Sequence, residues 1–195
     1  STVMNAGYMG IPLIYLMFGE KVVSFATFYM VVMAIFHFTL GIVILERENL
    51  KEGIISAFKI PLVHAAVFAF LTKDFVLPSG IEKIIKIAGE ATLPLMLVSI
   101  GISLSRIKLN DVVLSFVGTG VRFFGGTLSA LFLVKLFSCS PLLSKVLIVQ
   151  SSLPSAILNY VLCERFSRSP EVAASIIFIS TLLFPIYLLF LKTII

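Results

Sequence analysis

The sequence predicts an all-α integral membrane protein with seven transmembrane helices. Of its 195 residues, 59% are hydrophobic and only 13% are charged, and the mean hydropathy is +1.12. A soluble domain of this length does not need so much apolar surface, because only its core is kept from water. Long runs without Asp, Glu, Lys or Arg, each near the ~20 residues that span a bilayer, decide the class.

Seven segments are predicted to cross the membrane. Four of them contain no charged residue, the fifth in order contains only Arg122, and the third and fourth carry their charges near one end. In chain order, the segments are 1–19, 22–45, 61–76, 84–105, 112–134, 146–163 and 172–191.

Two of the spans contain residues that interrupt an α-helix. Residues 5–12 read Asn-Ala-Gly-Tyr-Met-Gly-Ile-Pro, and because proline removes a backbone N–H, the helix is predicted to break near residues 10–12. In the sixth span, Pro154 lies among serines and Asn159 follows five residues later. A bilayer tolerates a broken helix only where it lines a cavity or is buried in protein, so two matching breaks indicate a transport site.

The order of the spans predicts two structural repeats. The most polar stretch, 46–59, separates two spans from five and favours a short interfacial helix. Each broken span is the penultimate span of its half, which fits a ten-helix carrier with two inverted five-helix repeats. We therefore predict that 1–45 are the last two helices of the first repeat, that 46–59 are a cytoplasmic linker and that 60–195 are the complete second repeat.

Three further expectations concern the chain ends, the orientation and the location. The chain begins inside an uncharged run without a methionine or a signal peptide, so we expect it to be truncated by three N-terminal helices. All loop arginines lie on the side of the stretch 46–59, which favours that side as cytoplasmic. The expected location is the cell membrane, plasma or inner, as a multi-pass protein.

Three polar residues inside spans are candidates for binding an anion. Arg122 is near mid-span, where a charge costs about 3 kcal/mol on insertion scales; it either attracts an anionic substrate or acts as a cation mimic that stabilises the site. The structural alternative is a pair with a carbonyl or with Glu90. Asn5 and Asn159 lie beside the breaks, where an amide suits a carboxylate; the alternative for both is hydrogen bonding between helices.

The predicted substrate site combines these three residues with the residues of the breaks, and exposed half-helix N-termini there would add partial positive charge. Its members are Asn5, Gly7, Gly10, Pro12, Arg122, Pro154, Ser155 and Asn159. No cofactor, metal ion or catalytic residue is predicted, and coupling to H⁺ or Na⁺ is left open.

Three other residues have less specific expectations. His37 stands between two phenylalanines and is expected to pack in the protein rather than to titrate. Cys139 and Cys163 are predicted to lie near opposite faces of the membrane, so that they do not form a disulfide.

Taken together, these stretches resemble the auxin efflux carrier (AEC) family, also called PIN-like permeases. The matching segments are 5–19, 91–104, 121–123 and 148–185, which occur in the family's order and cover essentially the whole chain. The resemblance implies ten helices in two inverted repeats, with the fourth and ninth helices broken and crossing at the site. It also implies elevator-like alternating access and organic anions as cargo: auxin in plants, dicarboxylates such as malate or malonate in bacteria.

Other functional classes fit the sequence less well. A seven-helix receptor or rhodopsin is one alternative, but the only lysine near the last span, Lys192, lies at its end. An enzyme is disfavoured because the chain has no His-Glu-x-x-His or Gly-x-Ser-x-Gly motif. A sodium-coupled bile-acid-type symporter of related architecture is the nearest alternative.

We therefore predict a secondary transporter of small organic anions. The expected partners are the anion and the lipid bilayer, and a homodimer is left open. No nucleic-acid partner is expected, since basic residues that flank the spans account for the net charge of +5.

Overall fold

The computed structural model describes residues 3–41, 44, 64–65, 67–68, 71–72, 75, 77–105, 107 and 111–195. This part of the chain is mostly helical. Its seven α-helices are α1 (Ile11–Phe18), α2 (Val23–Phe36), α3 (Ser79–Ser105), α4 (Val112–Leu136), α5 (Pro141–Ser151), α6 (Ile157–Arg165) and α7 (Pro170–Leu191). Two π-helical turns, Ala6–Gly10 and His37–Gly41, and a 3₁₀ turn, Glu20–Val22, extend α1 and α2.

The described helices are those of a membrane protein. Three continuous helical stretches are long and apolar enough to cross a bilayer: Glu20–Gly41, Val112–Leu136 and Pro170–Leu191. Ala6–Phe18 and Pro141–Ser151 are shorter apolar helices and belong to the two broken spans. The all-α membrane class is thus confirmed, whereas the count of seven spans stays a prediction.

The predicted span 84–105 lies within α3, which begins five residues earlier, at Ser79. Two other predicted segments are covered only in part or not at all. The predicted linker 46–59 and more than half of the span 61–76 lie outside the described residues.

The break predicted in the sixth span is confirmed. Helix α5 ends at Ser151, α6 begins at Ile157, and the backbone is extended at Ala156, with φ −71° and ψ 141°. Pro154 lies between the two helices and cannot donate the N–H that would continue α5, which explains why the helix ends before it.

The position predicted for the first break is wrong. The helix is continuous from Ala6 to Phe18, and Gly10 itself has helical angles, with φ −67° and ψ −49°. Pro12 is tolerated because it follows the π-helical turn Ala6–Gly10, and local π-helical adjustment accommodates proline within a membrane helix. The non-helical segment lies earlier, at residues 3–5, immediately before the π-helical turn.

The non-helical segment 3–5 pairs with the break between α5 and α6, and this contact is called the crossing below. Met4 and Ser155 form an antiparallel β-bridge. The Asn5 N–H donates to the Pro154 carbonyl (2.8 Å), and the Ala156 N–H donates to the Val3 carbonyl (2.9 Å). The backbone groups that each break frees are therefore satisfied largely by the other break, which is what a low-dielectric environment requires.

Helices from both parts of the chain pack around this crossing. Helix α4 packs against α5 and α7, α6 packs against α7, and α2 contacts α1 and α5. The apolar core at the crossing consists of Met4, Ala6, Phe123, Leu153, Phe184 and Tyr187. His37 is buried, with its ring centroid 5.8 Å from that of Phe38, so the predicted packing role is confirmed.

Helix α3 is packed differently from the others. It touches the π-helical turn Ala6–Gly10 and α1, yet among its described side chains all but Ser99 are exposed. Helices α4 and α7 also direct large apolar side chains outward, such as Val113, Phe132 and Ile186. Outward apolar surface of this kind suits contact with lipid.

Candidate functional site

The break between α5 and α6 leaves one carbonyl without its usual backbone donor. In a continued helix, the carbonyl of Ser151 would accept from the N–H of residue 155, or of residue 154 in a tighter turn. Pro154 has no N–H, and the Ser155 N–H donates instead to the Ser180 hydroxyl of α7 (3.2 Å). The last carbonyl of α5 must therefore be satisfied by a side chain.

Arg122 is that side chain. Its Nη2 donates to the Ser151 carbonyl, and the residue is only 7% exposed. The contact needs Gly126, one turn later in α4, because a Cβ there would collide with the Ser151 carbonyl and lie 2.8 Å from Nη1 of Arg122. The partner is thus a carbonyl, as one sequence alternative proposed, rather than Glu90, which is exposed on α3.

Asn5 lies at the start of the first half-helix with an unused donor. Its backbone is fully engaged: the N–H donates to Pro154 and the carbonyl accepts from the Gly10 N–H (3.0 Å). The residue is buried, its side chain does not cap the helix, and Nδ2 has no hydrogen-bond partner within the described residues. A buried amide nitrogen of this kind is available to a ligand.

Asn159 joins the two breaks. Its Nδ2 donates to the Val3 carbonyl and to the Ser155 hydroxyl, both at 2.8 Å. Both N–H bonds of the amide are thereby used within the crossing, as the interhelical alternative for this residue foresees. A contact between Asn159 and substrate stays a prediction, and only its side-chain oxygen could provide it.

The remaining predicted site residues are brought near the crossing to different degrees. Pro154 and Ser155 are buried within it. A Cβ on Gly10 would lie 2.7 Å from Leu153 and collide with Gln150, so Gly10 permits the two broken spans to approach. Gly7 faces α2, where a Cβ would lie 3.0 Å from the Met30 sulfur. Pro12 is buried further along, in α1.

The structure adds polar residues that the sequence pattern did not indicate. The hydroxyl of Thr127 lies 2.7 Å from that of Ser152 and 2.6 Å from that of Tyr187, and the Tyr29 hydroxyl lies 2.9 Å from that of Ser151. Gln150 is fully buried. Ser152 and Gln150 could have been selected, because they are polar residues beside the predicted break.

A cavity of about 610 Å³ opens beside Arg122. Met4, Tyr29, Arg122 and Ser151 border it, and most of the remaining lining is apolar and belongs to α4 and α7, such as Val121 and Ile176. The stretches 112–163 and 172–191 contain neither Asp nor Glu. The cavity is therefore mostly apolar, with the cationic side chain of Arg122 at its border.

The half-helix termini at the crossing have a consistent polarity. Two half-helices begin there, at Ala6 and at Ile157, and neither Asn5 nor Ala156 caps its helix with a side-chain hydrogen bond. Helix N-termini carry partial positive charge and attract anions, whereas the C-terminus of α5 attracts a cation. Within the described part of the chain, no cluster of three His, Cys, Asp or Glu residues could hold a metal ion.

Comparison with known proteins shows similarity to membrane transport proteins. The family described as membrane transport protein matches residues 47–191. An uncharacterized transporter of Methanocaldococcus jannaschii is 28% identical over 186 residues, which cover 91% of this chain and 60% of the relative. One from Methanothermobacter thermautotrophicus is 27% identical over 188 residues, which cover 94% and 62%.

The chain thus spans about three fifths of the length of the curated relatives it matches. The family match covers well over half of the chain, and both relatives bear the name of transporters. The chain belongs to the membrane transport protein family, that of auxin efflux carriers and PIN-like permeases.

Proposed function

We propose that the full protein is a secondary transporter that carries small organic anions by elevator-type alternating access. The cargo class comprises carboxylates such as malate, malonate or auxin-like acids. The protein would cross the cell membrane several times, with the 46–59 side in the cytoplasm. Family membership supports the transport activity, and the crossing supports the choice of an anion.

The observation that carries this proposal is the pair of uncapped half-helix N-termini at the crossing. The helices that begin at Ala6 and Ile157 add partial positive charge there. Beside them, the Nδ2 of Asn5, which has no hydrogen-bond partner among the described residues, is a donor that carries no charge. A carboxylate at this position would find hydrogen-bond donors and no competing Asp or Glu from α4 to α7, apart from those at helix ends.

The proposed architecture is the ten-helix inverted repeat, with 1–45 from the first repeat and 60–195 as the second. Two features support it. Each broken span is followed by a long apolar helix, α2 in one half and α7 in the other, and the two breaks pair with each other. In this arrangement, α3 would belong to the static scaffold, and its exposed side chains would face lipid or scaffold helices.

The test is uptake of labelled malonate and malate by proteoliposomes that contain the full-length protein. Asn5→Ala removes the free donor and is expected to reduce uptake about tenfold, equivalent to about 1.4 kcal/mol. Asn5→Asp places a carboxylate at the same position and is expected to reduce uptake further through charge repulsion. Thr193→Ala, at an exposed position beyond α7, is the control and should leave uptake unchanged.

Two results would contradict the proposal. The anion site would be misplaced if Asn5→Asp transported as fast as the wild type. Wild-type uptake of organic cations in place of carboxylates would overturn the substrate class.

A further inference from the structure

We propose that Arg122 is a built-in cation that takes the place of a transported coupling cation at the broken helix. This inference rests on the proposed function and specifies how the same site is coupled. In many secondary transporters, the unwound backbone carbonyls and half-helix C-termini of a broken helix coordinate Na⁺. Here the corresponding carbonyl, that of Ser151, is bound by a guanidinium that belongs to the chain itself.

The backbone at the break provides the acceptor for this cation. The Ser151 carbonyl is free because Pro154 has no N–H and because the Ser155 N–H is directed to Ser180. This carbonyl is also the last one of α5, at the negative end of the half-helix dipole, where a positive charge is stabilised. The position therefore calls for a cation whether or not substrate is bound.

The surroundings of Arg122 fit a permanent occupant. The side chain is only 7% exposed, and Gly126 leaves the space in which the guanidinium meets the carbonyl. Tyr29 contributes a hydroxyl to the side chain of the same serine (2.9 Å). With no Asp or Glu in 112–163 or 172–191, these helices offer no carboxylate with which a metal ion could replace the arginine.

Two functional consequences follow. Transport does not require Na⁺, because the carbonyl that a coupling ion would bind is already occupied. Moreover, the positive charge remains with the protein through the whole cycle, so it positions the half-helix for the anion but is not itself released. Arg122 is in this sense a positioning residue rather than a group that contacts the cargo.

The experiment compares uptake by the full-length protein in Na⁺ buffer and in choline buffer. We expect equal wild-type rates in the two buffers. Arg122→Ala is expected to lower the rate about tenfold or more and to lower the melting temperature of the purified protein. Methylguanidinium, but not tetramethylammonium at the same concentration, should restore part of both. Lys135→Gln, an exposed cation of the same helix, is the matched control and should resemble the wild type.

Several outcomes would overturn the proposal. They are wild-type uptake that depends on Na⁺, wild-type rate and stability in Arg122→Ala, or an Arg122→Ala protein that methylguanidinium does not affect. If Arg122→Ala does not fold, Arg122→Lys replaces it, and its slower uptake must also be independent of Na⁺. If no organic anion is transported at all, the proposed function fails, while the melting temperatures with methylguanidinium still test the role of Arg122.

Discussion

At the scale of single residues, polar side chains around the crossing fall into those with partners and those without. Thr127, Ser152 and Asn159 all have hydrogen-bond partners. Gln150 is not, since neither its Oε1 nor its Nε2 has a partner within the described residues, although the side chain is completely buried. A buried amide in this state costs about 1–3 kcal/mol relative to a satisfied one.

This cost gives a prediction for Gln150→Met, which replaces the amide with an apolar side chain of similar volume. We expect the free energy of unfolding to rise by about 1 kcal/mol, because the unsatisfied groups are removed without leaving a cavity. Thermal unfolding of the detergent-solubilised protein measures the change. Gln150→Glu should be destabilising, since it buries a charge. If Gln150→Met were less stable than Gln150→Glu, the amide of Gln150 would have to be hydrogen-bonded in the folded protein.

A second prediction concerns the close approach of α4 to the break. Gly126→Ala puts a Cβ against the Ser151 carbonyl and the guanidinium of Arg122, and we expect a loss of about 1–3 kcal/mol through overpacking. Gly120→Ala, in the same helix, is the matched control, because among the described residues no atom of a neighbouring segment lies within 4 Å of the added Cβ. It should be neutral or stabilising by up to about 1 kcal/mol. Equal effects of the two substitutions in thermal unfolding would contradict the geometry.

The sequence was sufficient to select Arg122, Asn5 and Asn159, because each is a polar residue within an apolar run. It was not sufficient to assign their contacts. Which carbonyl Arg122 meets depends on which N–H groups the break diverts, and this is decided by Ser180, far away in the sequence. Tyr29 and Tyr187 gave no signal, since a tyrosine in an apolar helix is compatible with many surroundings.

At the scale of elements, the crossing is assembled from one break that the sequence located and one that it misplaced. Pro154 ends α5 as predicted, because it lies where the helix would need its N–H. Pro12 has the same chemistry but follows the π-helical turn Ala6–Gly10, which accommodates it within the helix. Proline alone therefore indicated that a break was near, and the pairing of Met4 with Ser155 decided where it lies.

A third prediction separates the two roles considered for Asn159. If it mainly joins the breaks, Asn159→Ala loses its bonds to Val3 and Ser155 and should lower the free energy of unfolding by about 1–3 kcal/mol. The KM of the folded fraction should then change little. Tyr160→Phe, which removes only an exposed bond to Glu164, serves as the control. A raised KM with unchanged thermal stability would instead assign Asn159 to the substrate.

At the scale of the whole molecule, the two cysteines report on the topology. Cys139 lies between α4 and α5, and Cys163 lies near the end of α6, so the second broken span separates them. Both are half-buried free thiols, in agreement with the prediction that they do not pair.

The fourth prediction uses these thiols in two variants of the full-length protein, one that keeps only Cys139 and one that keeps only Cys163, with every other cysteine replaced by serine. A membrane-impermeant maleimide should label Cys139 from outside intact cells and Cys163 only after permeabilisation, if the 46–59 side is cytoplasmic. The permeabilised sample of each variant is the control for reactivity. Labelling of both thiols from one side would mean that the span 146–163 does not cross the membrane.

The pairing of the two breaks also constrains how the protein is made. The hydrogen bond from Asn159 to Val3 joins positions 156 residues apart. Helix α5 has 11 residues and is about 16 Å long, so it cannot by itself span a hydrocarbon core of about 30 Å. The first broken span therefore leaves the ribosome long before its partner exists. Until α6 has been synthesised, the unpaired backbone groups of the first broken span must be hydrogen-bonded to water or covered by the insertion machinery or by other helices. Closure of the crossing is thus a late, long-range folding step, and substitutions there should reduce the yield of inserted protein before they affect its activity.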